Sequence, residues 1–189
     1  MKSSPLSNDP VTSLEAILVK IFPTSSFDDG VKETAERVIR MWTEFKPEKE
    51  LSFEFTVFPT TVNQMIIVRG IEFSSLCSHH LLPFSGVAHV AYLPNKLMVG
   101  LSKIPRLVHF FATRPQTQET LTRQIASDLK RRLEAQGVAV VIRSTHTCMS
   151  CRGVRSVNAE MITSEMRGTF LTGHEARNEF LTLISQGGI

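Results

Sequence analysis

Apolar residues recur along this chain with two different periods. From Thr12 they fall three or four apart, so that Leu14, Ile17, Leu18, Ile21 and Phe22 share one side of a helix. Thr12 and Glu15 have the spacing of a capping box at its start. PTSSFDDG (23–30) breaks that helix. A second helix is predicted over about 31–45, with Val31, Ala35, Val38, Trp42 and Phe45 on one side. The period then drops to two. LSFEFTVF (51–58) alternates Leu51, Phe53, Phe55 and Val57 with polar neighbours, as a half-buried strand does. MIIVRGIEF (65–73), GVAHVAYL (86–93) and LMVGL (97–101) continue as strands, with LPNK (93–96) as a hairpin turn between the last two. Ser102 is placed to cap a short helix that tolerates Pro105 in its first turn. A longer helix is predicted over about 117–135, with Leu121, Ile125, Leu129 and Leu133 inward and Gly137 as its stop. VAVVIRST (138–145) reads as a buried strand, SVNAEMITSEMRGTF (156–170) as another, and HEARNEFLTLI (174–184) as a closing helix.

This order of elements predicts an α+β fold of antiparallel hairpins with helices packed on one face. Residues 1–10 read as a flexible tail, 11–50 as an N-terminal helical segment and 51–189 as the main domain. A length of 189 residues suits one domain with a helical annex. No run approaches the roughly 18 apolar residues that a membrane span needs. No apolar signal core follows the polar N-terminus, so the expected location is the cytoplasm, with no membrane partner. A net charge of +3 is mild and makes no case for a nucleic-acid partner.

Three cysteines in a chain without a secretory signal point to metal ligation or plain burial rather than to disulfides. Cys77 and His80 have C-x-x-H spacing, which lets one turn aim both side chains at one ion. THTCMSC (145–151) follows a strand and adds His146, Cys148 and Cys151. Thiolate and imidazole together favour zinc. Two readings stand. Cys77, His80, Cys148 and Cys151 could close a structural tetrahedron; alternatively, three of them hold the ion and water takes the fourth place, the catalytic arrangement. Spacing alone favours the closed site. His79 and His146 weigh against it, because a structural knuckle needs neither, whereas imidazoles beside an ion can give and take protons. The zinc deaminase signature is excluded, since HTC carries no glutamate after the histidine.

Other chemistry is sparser. Ser102, Lys103 and Arg106 gather at a predicted helix N-terminus, where amide groups and cations suit an oxyanion or a phosphate. Taken alone, a capped helix with solvated charges explains them better. Arg152, next to the second metal cluster, adds a cation suited to an anionic substrate. Glu119 in the first turn of the long helix is favoured by the helix dipole; with Gln118 it could also accept from the N–H edge of guanine. No Walker A sequence, G-x-G-x-x-G or G-x-S-x-G is present.

CSHHLLPFSGVAHVAYLPNK, GLSKIPRLVHFFATRPQTQETLTRQIA and THTCMSCRGVRS together resemble the GTP cyclohydrolase I family in order and spacing, over roughly residues 30–184. The resemblance implies the tunnelling fold, in which antiparallel sheets of several subunits close into a barrel, over the domain 51–189. It implies a homo-oligomer, typically a decamer, with active sites between subunits. It implies zinc as cofactor, held by Cys77, His80 and Cys148, with His79, His146 and Ser102 as catalytic groups. Gln118 and Glu119 match the pair that reads guanine, and Lys103, Arg106 and Arg152 the residues around ribose and triphosphate. The implied reaction converts the substrate GTP to 7,8-dihydroneopterin triphosphate and formate. Cys151 supplies no ligand on this reading, which shifts the balance to the open metal site. The chain departs from the family's pattern at Ser78, where many members carry Glu, and at ETAERV (33–38), where a T-P-x-R form is usual. The rival readings are a non-catalytic, zinc-stabilised oligomer that binds a purine, and a related tunnelling-fold enzyme acting on another pterin or a deazapurine.

Overall fold

The structure, a computed structural model, describes residues 8–22, 33–48 and 53–186. The chain divides into two compact units, Met1–Lys46 and Pro47–Ile189. The first holds helices α1 (Pro10–Ile21) and α2 (Thr34–Thr43). The cap of α1 differs from the expected box at Thr12. Asp9 is the N-cap, its carboxylate accepting from Thr12 N at 2.8 Å and from Thr12 Oγ1 at 2.5 Å, and Pro10 opens the first turn. An Asp–Pro start outcompetes a threonine cap because proline needs no partner for an amide it lacks. Val31, at the predicted start of the second helix, lies outside the described residues.

The second unit is built on a mixed sheet of order β5–β2–β3–β6–β7. Its strands are β2 (Ile66–Cys77), β3 (Pro83–Leu93), β5 (Pro115–Gln116), β6 (Gly137–His146) and β7 (Met161–Gly168). All pair antiparallel except β5, which runs parallel to β2. A separate two-stranded ladder joins β1 (Val57–Pro59) to β4 (Leu97–Val99). The expected β3–β4 hairpin is therefore not a ladder. The Tyr92 hydroxyl instead accepts from Val99 N at 3.2 Å, and β4 takes β1 as its strand partner. The strand expected over 51–58 shrinks in the same way, with Leu51 and Ser52 outside the described residues. Phe53 and Phe55 pack on the core and under cations rather than in a ladder: Lys103 and Arg106 lie 5.9 and 6.0 Å from the Phe53 ring, and Arg132 lies 5.1 Å from Phe55.

Helix α3 (Lys103–Ala112) and helix α4 (Gln118–Leu133) cover one face of the sheet. Leu121, Ile125, Leu129 and Leu133 are fully buried, each contributing about 1.5–3 kcal/mol relative to exposure. The first amides of α3 are met by backbone carbonyls, Lys103 N by Gly100 O at 2.8 Å, so Ser102 sits at the N-cap without making a capping bond. Helix α4 stops at Glu134 in the left-handed region (φ 46°) rather than at Gly137, which opens β6. Helices α6 (Thr169–Thr172) and α7 (His174–Ser185) close on the other face, where Phe170 and Phe180 bury Ala139 and Val141. Helices thus lie on both faces, not one. The cause is β6 itself: Val138, Val140 and Ile142 feed one core while Ala139 and Val141 feed the other.

Two close approaches shape the sheet. At Val68/Ile71 a bulge interrupts the β2–β3 register, with Gly70 at φ +71°, and His89 Nδ1 accepts the Gly70 N–H at 3.3 Å. Burial, then the charges of Arg143 and Arg69, push the His89 imidazole below its ordinary range, which keeps that acceptor neutral. At Gly86, opposite Ser144, an added Cβ would lie 1.9 Å from Arg143 O and 2.7 Å from Ser144 Cβ. Gly86→Ala should therefore push β6 away from β3, destabilising the fold by about 1–3 kcal/mol. A drop in the urea midpoint checks this; an unchanged midpoint would refute it.

Candidate metal centre and active site

The site forms where β2 ends, β3 begins and β6 ends. The backbone turns tightly after Cys77: His80 N and Leu81 N both donate to Cys77 O, at 3.3 and 2.8 Å, and Cys77 N donates to Leu82 O at 2.8 Å. Leu81 takes a left-handed conformation (φ 53°) to complete the turn. Strand β5 braces it, as Ser78 N donates to Gln116 O at 3.1 Å. Across the β3–β6 ladder Phe84 pairs with His146, and their rings stack at 4.5 Å with 3° between planes. The short helix α5 (Thr147–Ser150) then turns Cys148 inward, held by Thr147 Oγ1 donating to Pro83 O at 2.6 Å.

Ligand atoms of Cys77, His80 and Cys148 all lie within 4.8 Å of one another. Cys151 is exposed and does not join that group, so the closed four-ligand arrangement is not formed. Cys77 Sγ stands 3.8 Å from His79 Nδ1 and 3.9 Å from His80 Nδ1. Burial and the neighbouring Cys77 push the Cys148 thiol up, with Arg152 opposing. A cation beside the two sulfurs would favour the Cys148 thiolate that this neighbourhood disfavours. The donor set therefore fits a metal ion, and two sulfurs with one imidazole suit a borderline-soft one. Arg152 Nη1 donates to His80 Nε2 at 2.9 Å, which places the guanidinium at the mouth of the group.

Behind His146 lies Gln118, fully buried at the start of α4. Its Nε2 donates toward Ile142 O, Met161 O and Thr163 Oγ1, each at 3.1 Å. Its Oε1 accepts from Ser144 Oγ at 2.5 Å and faces His146 Nε2 at 3.0 Å. The amide is thus saturated within the chain, and only Glu119 of the Gln118–Glu119 pair presents its side chain to solvent. Burial lowers the His146 imidazole from its ordinary range, with the Glu119 charge opposing. Sequence reasoning missed Ser144, Thr163 and the Phe84 stack. The one available signal was that Ser144 and His146 are two apart on a strand and share a face.

Not every expected residue comes to this place. Ser102, Lys103 and Arg106 sit at the N-terminal end of α3, beside β4, where Gly100 N donates to Thr56 O at 3.1 Å. The other end of α3 reaches the metal turn, since Arg114 O accepts from Ser75 Oγ at 3.1 Å. Along α3 the rise to its last residue, Ala112, is therefore about 15 Å from Ser102 and about 9 Å from Arg106, which sets the three residues apart from the end that meets β2 within one chain. A cleft of about 380 Å³, lined by Glu48, Phe53, Arg106, His109, Phe110 and Thr113, lies along α3 and away from the cysteines.

Comparison with known proteins bears on this arrangement. The sequence profile described as GTP cyclohydrolase I matches residues 12–185. The GTP cyclohydrolase 1 of Hydrogenobaculum sp. is 52% identical over 160 residues, covering 84% of this chain and 87% of that protein. The GTP cyclohydrolase 1 of Aquifex aeolicus is 50% identical over 158 residues, 82% of this chain and 85% of its own. That of Rhodopirellula baltica is 47% identical over 164 residues, 84% and 70% respectively. With a profile match over nearly its whole length and a metal-competent Cys–His–Cys group beside a stacked histidine, the chain belongs to the GTP cyclohydrolase I family.

Proposed function

We infer that the chain hydrolyses GTP, opening the imidazole ring of guanine to give 7,8-dihydroneopterin triphosphate and formate. The observation that carries the reading is the group Cys77, His80 and Cys148, three donors within 4.8 Å with His79 and His146 beside them. Zinc is the proposed ion. Bound there, it would supply Lewis acidity and bring water towards its hydroxide form at neutral pH. His146, as the imidazolium, gives its second ring proton to guanine N7 and is left neutral, which makes C8 electrophilic. His79 and Ser102 carry protons in the later ring-opening and ribose steps. Glu119 accepts from the ring N–H and the exocyclic amine of guanine. Lys103, Arg106 and Arg152 neutralise the triphosphate.

The separation of Ser102, Lys103 and Arg106 from the cluster supports a shared site. One copy contributes the metal end and a second copy contributes the start of α3. A homo-oligomer, a decamer built on the tunnelling-fold barrel, is the assembly we propose. Exclusion of Cys151 from the ligand group speaks against the non-catalytic structural-zinc alternative.

Incubating the protein with GTP should release one formate per GTP, and oxidation of the product should yield a fluorescent pterin. Chelation should stop both and zinc should restore both; formate release that survives complete demetallation would end the zinc assignment. Cys151→Ala should keep metal and turnover. His146→Ala should keep metal, measured by elemental analysis, while ring opening falls roughly 10²–10⁴-fold. If His146→Ala proves as active as the parent, its proton-transfer role is wrong. Mixing inactive His146→Ala and Arg106→Ala chains under dissociating conditions should restore part of the activity on reassembly, since some shared sites then contain neither change. No recovery from a mixed oligomer would overturn the shared site.

A further inference from the structure

We propose that Ser144 and Gln118 act together as positioning residues that hold His146 in the tautomer with its proton on Nε2, leaving Nδ1 as the ring's only lone pair. The inference rests on the reading of His146 as a catalytic histidine and adds which ring nitrogen does the work.

Donor and acceptor logic fixes the amide first. Ile142 O and Met161 O are backbone carbonyls and can only accept. Both lie 3.1 Å from the same end of Gln118, so that end must be the NH2 group. A flipped amide would set three oxygens against one another in a buried place. Gln118 Oε1 therefore faces Ser144 Oγ and His146 Nε2. A carbonyl oxygen donates nothing, so His146 Nε2 must carry the hydrogen.

The surroundings lock that polarity. Thr122 Oγ1 donates to Gln118 O at 2.8 Å, so in its 2.7 Å contact with Thr163 Oγ1 it accepts. Thr163 then has its own oxygen open to Gln118 Nε2. Every hydrogen in the chain Thr163, Thr122, Gln118, Ser144 and His146 points one way. Ser144 supplies the second hydrogen bond to Gln118 Oε1, and Gly86 opposite it leaves no room for β6 to shift. The Phe84 stack sets the plane of the imidazole; the amide sets its rotation within that plane. A buried serine serving the fold alone would need only one partner of any kind. This one is aimed at the oxygen that faces a functional histidine.

Magic-angle-spinning NMR of zinc-loaded protein labelled with 15N-histidine tests the tautomer directly, with His146→Asn assigning the signal. The expected spectrum has Nε2 protonated and Nδ1 bare. Protonated Nδ1 with bare Nε2 in the neutral ring overturns the proposal. Ser144→Ala should lower kcat roughly tenfold to a hundredfold with KM for GTP and metal content unchanged. Ser144→Thr, which keeps the hydroxyl, should recover part of the loss. A Ser144→Ala protein that loses stability but turns over normally would show a structural role only and overturn the proposal. Should that variant fail to fold, the parent's spectrum still decides. Formate release by the parent separates the two layers: its absence sinks the catalytic reading, whereas the spectrum tests the tautomer on its own.

Discussion

Phe84 sits opposite His146 across the β3–β6 ladder, and the distances in the site descend from that register. The same ladder puts Gly86 against Ser144 and, through β2, brings Leu76 opposite Pro83. Cysteines 71 positions apart in sequence, 77 and 148, meet because these pairings align strand ends rather than strand middles. A one-residue slip would turn His146 and Ser144 to the opposite face and leave the metal turn facing the wrong strand. Burial secures the register. Val138, Val140 and Ile142 fill one core and Ala139 and Val141 the other, so β6 has no polar face to offer water until Arg143.

Long periodic segments were legible in the sequence for the reason that burial leaves a period. The helix over 117–135 and the strand over 138–145 have their observed counterparts in α4 and β6. The candidate metal donors were legible because C-x-x-H and C-x-x-C are local, but that three of them gather rather than four was an implication of the family resemblance and not of the spacing. Other features depend on partners far away in sequence. Alternation at Leu51, Phe53, Phe55 and Val57 has the period of a strand, yet two of those phenylalanines answer to Lys103, Arg106 and Arg132. Spacing admitted Cys151 to a tetrahedron, but helix α5 turns it to solvent. Gln118 looked outward from its sequence neighbour Glu119. Only the carbonyls of Ile142 and Met161 reveal that it faces in.

The site also divides labour between rigid and exposed parts. Gln118 and Ser144 are buried and hydrogen-bonded, whereas His79, His80, Glu119 and Arg152 stand in solvent. The buried set defines orientation. The exposed set carries charge and donors toward whatever approaches. Lys103 and Arg106, in the first turns of α3, extend the second set away from the end of that helix that meets β2.

Leucine in the left-handed region carries a backbone penalty of about 1–2 kcal/mol, and Leu81 bears it in the turn that aims the paired histidines. The penalty belongs to the polypeptide and is independent of the ion. Present in the turn before any ion arrives, it cancels from the binding of iron, cobalt or zinc alike. Torsional strain in this turn thus cannot tell one cation from another, and discrimination falls to the polarisability of two sulfurs and one ring nitrogen.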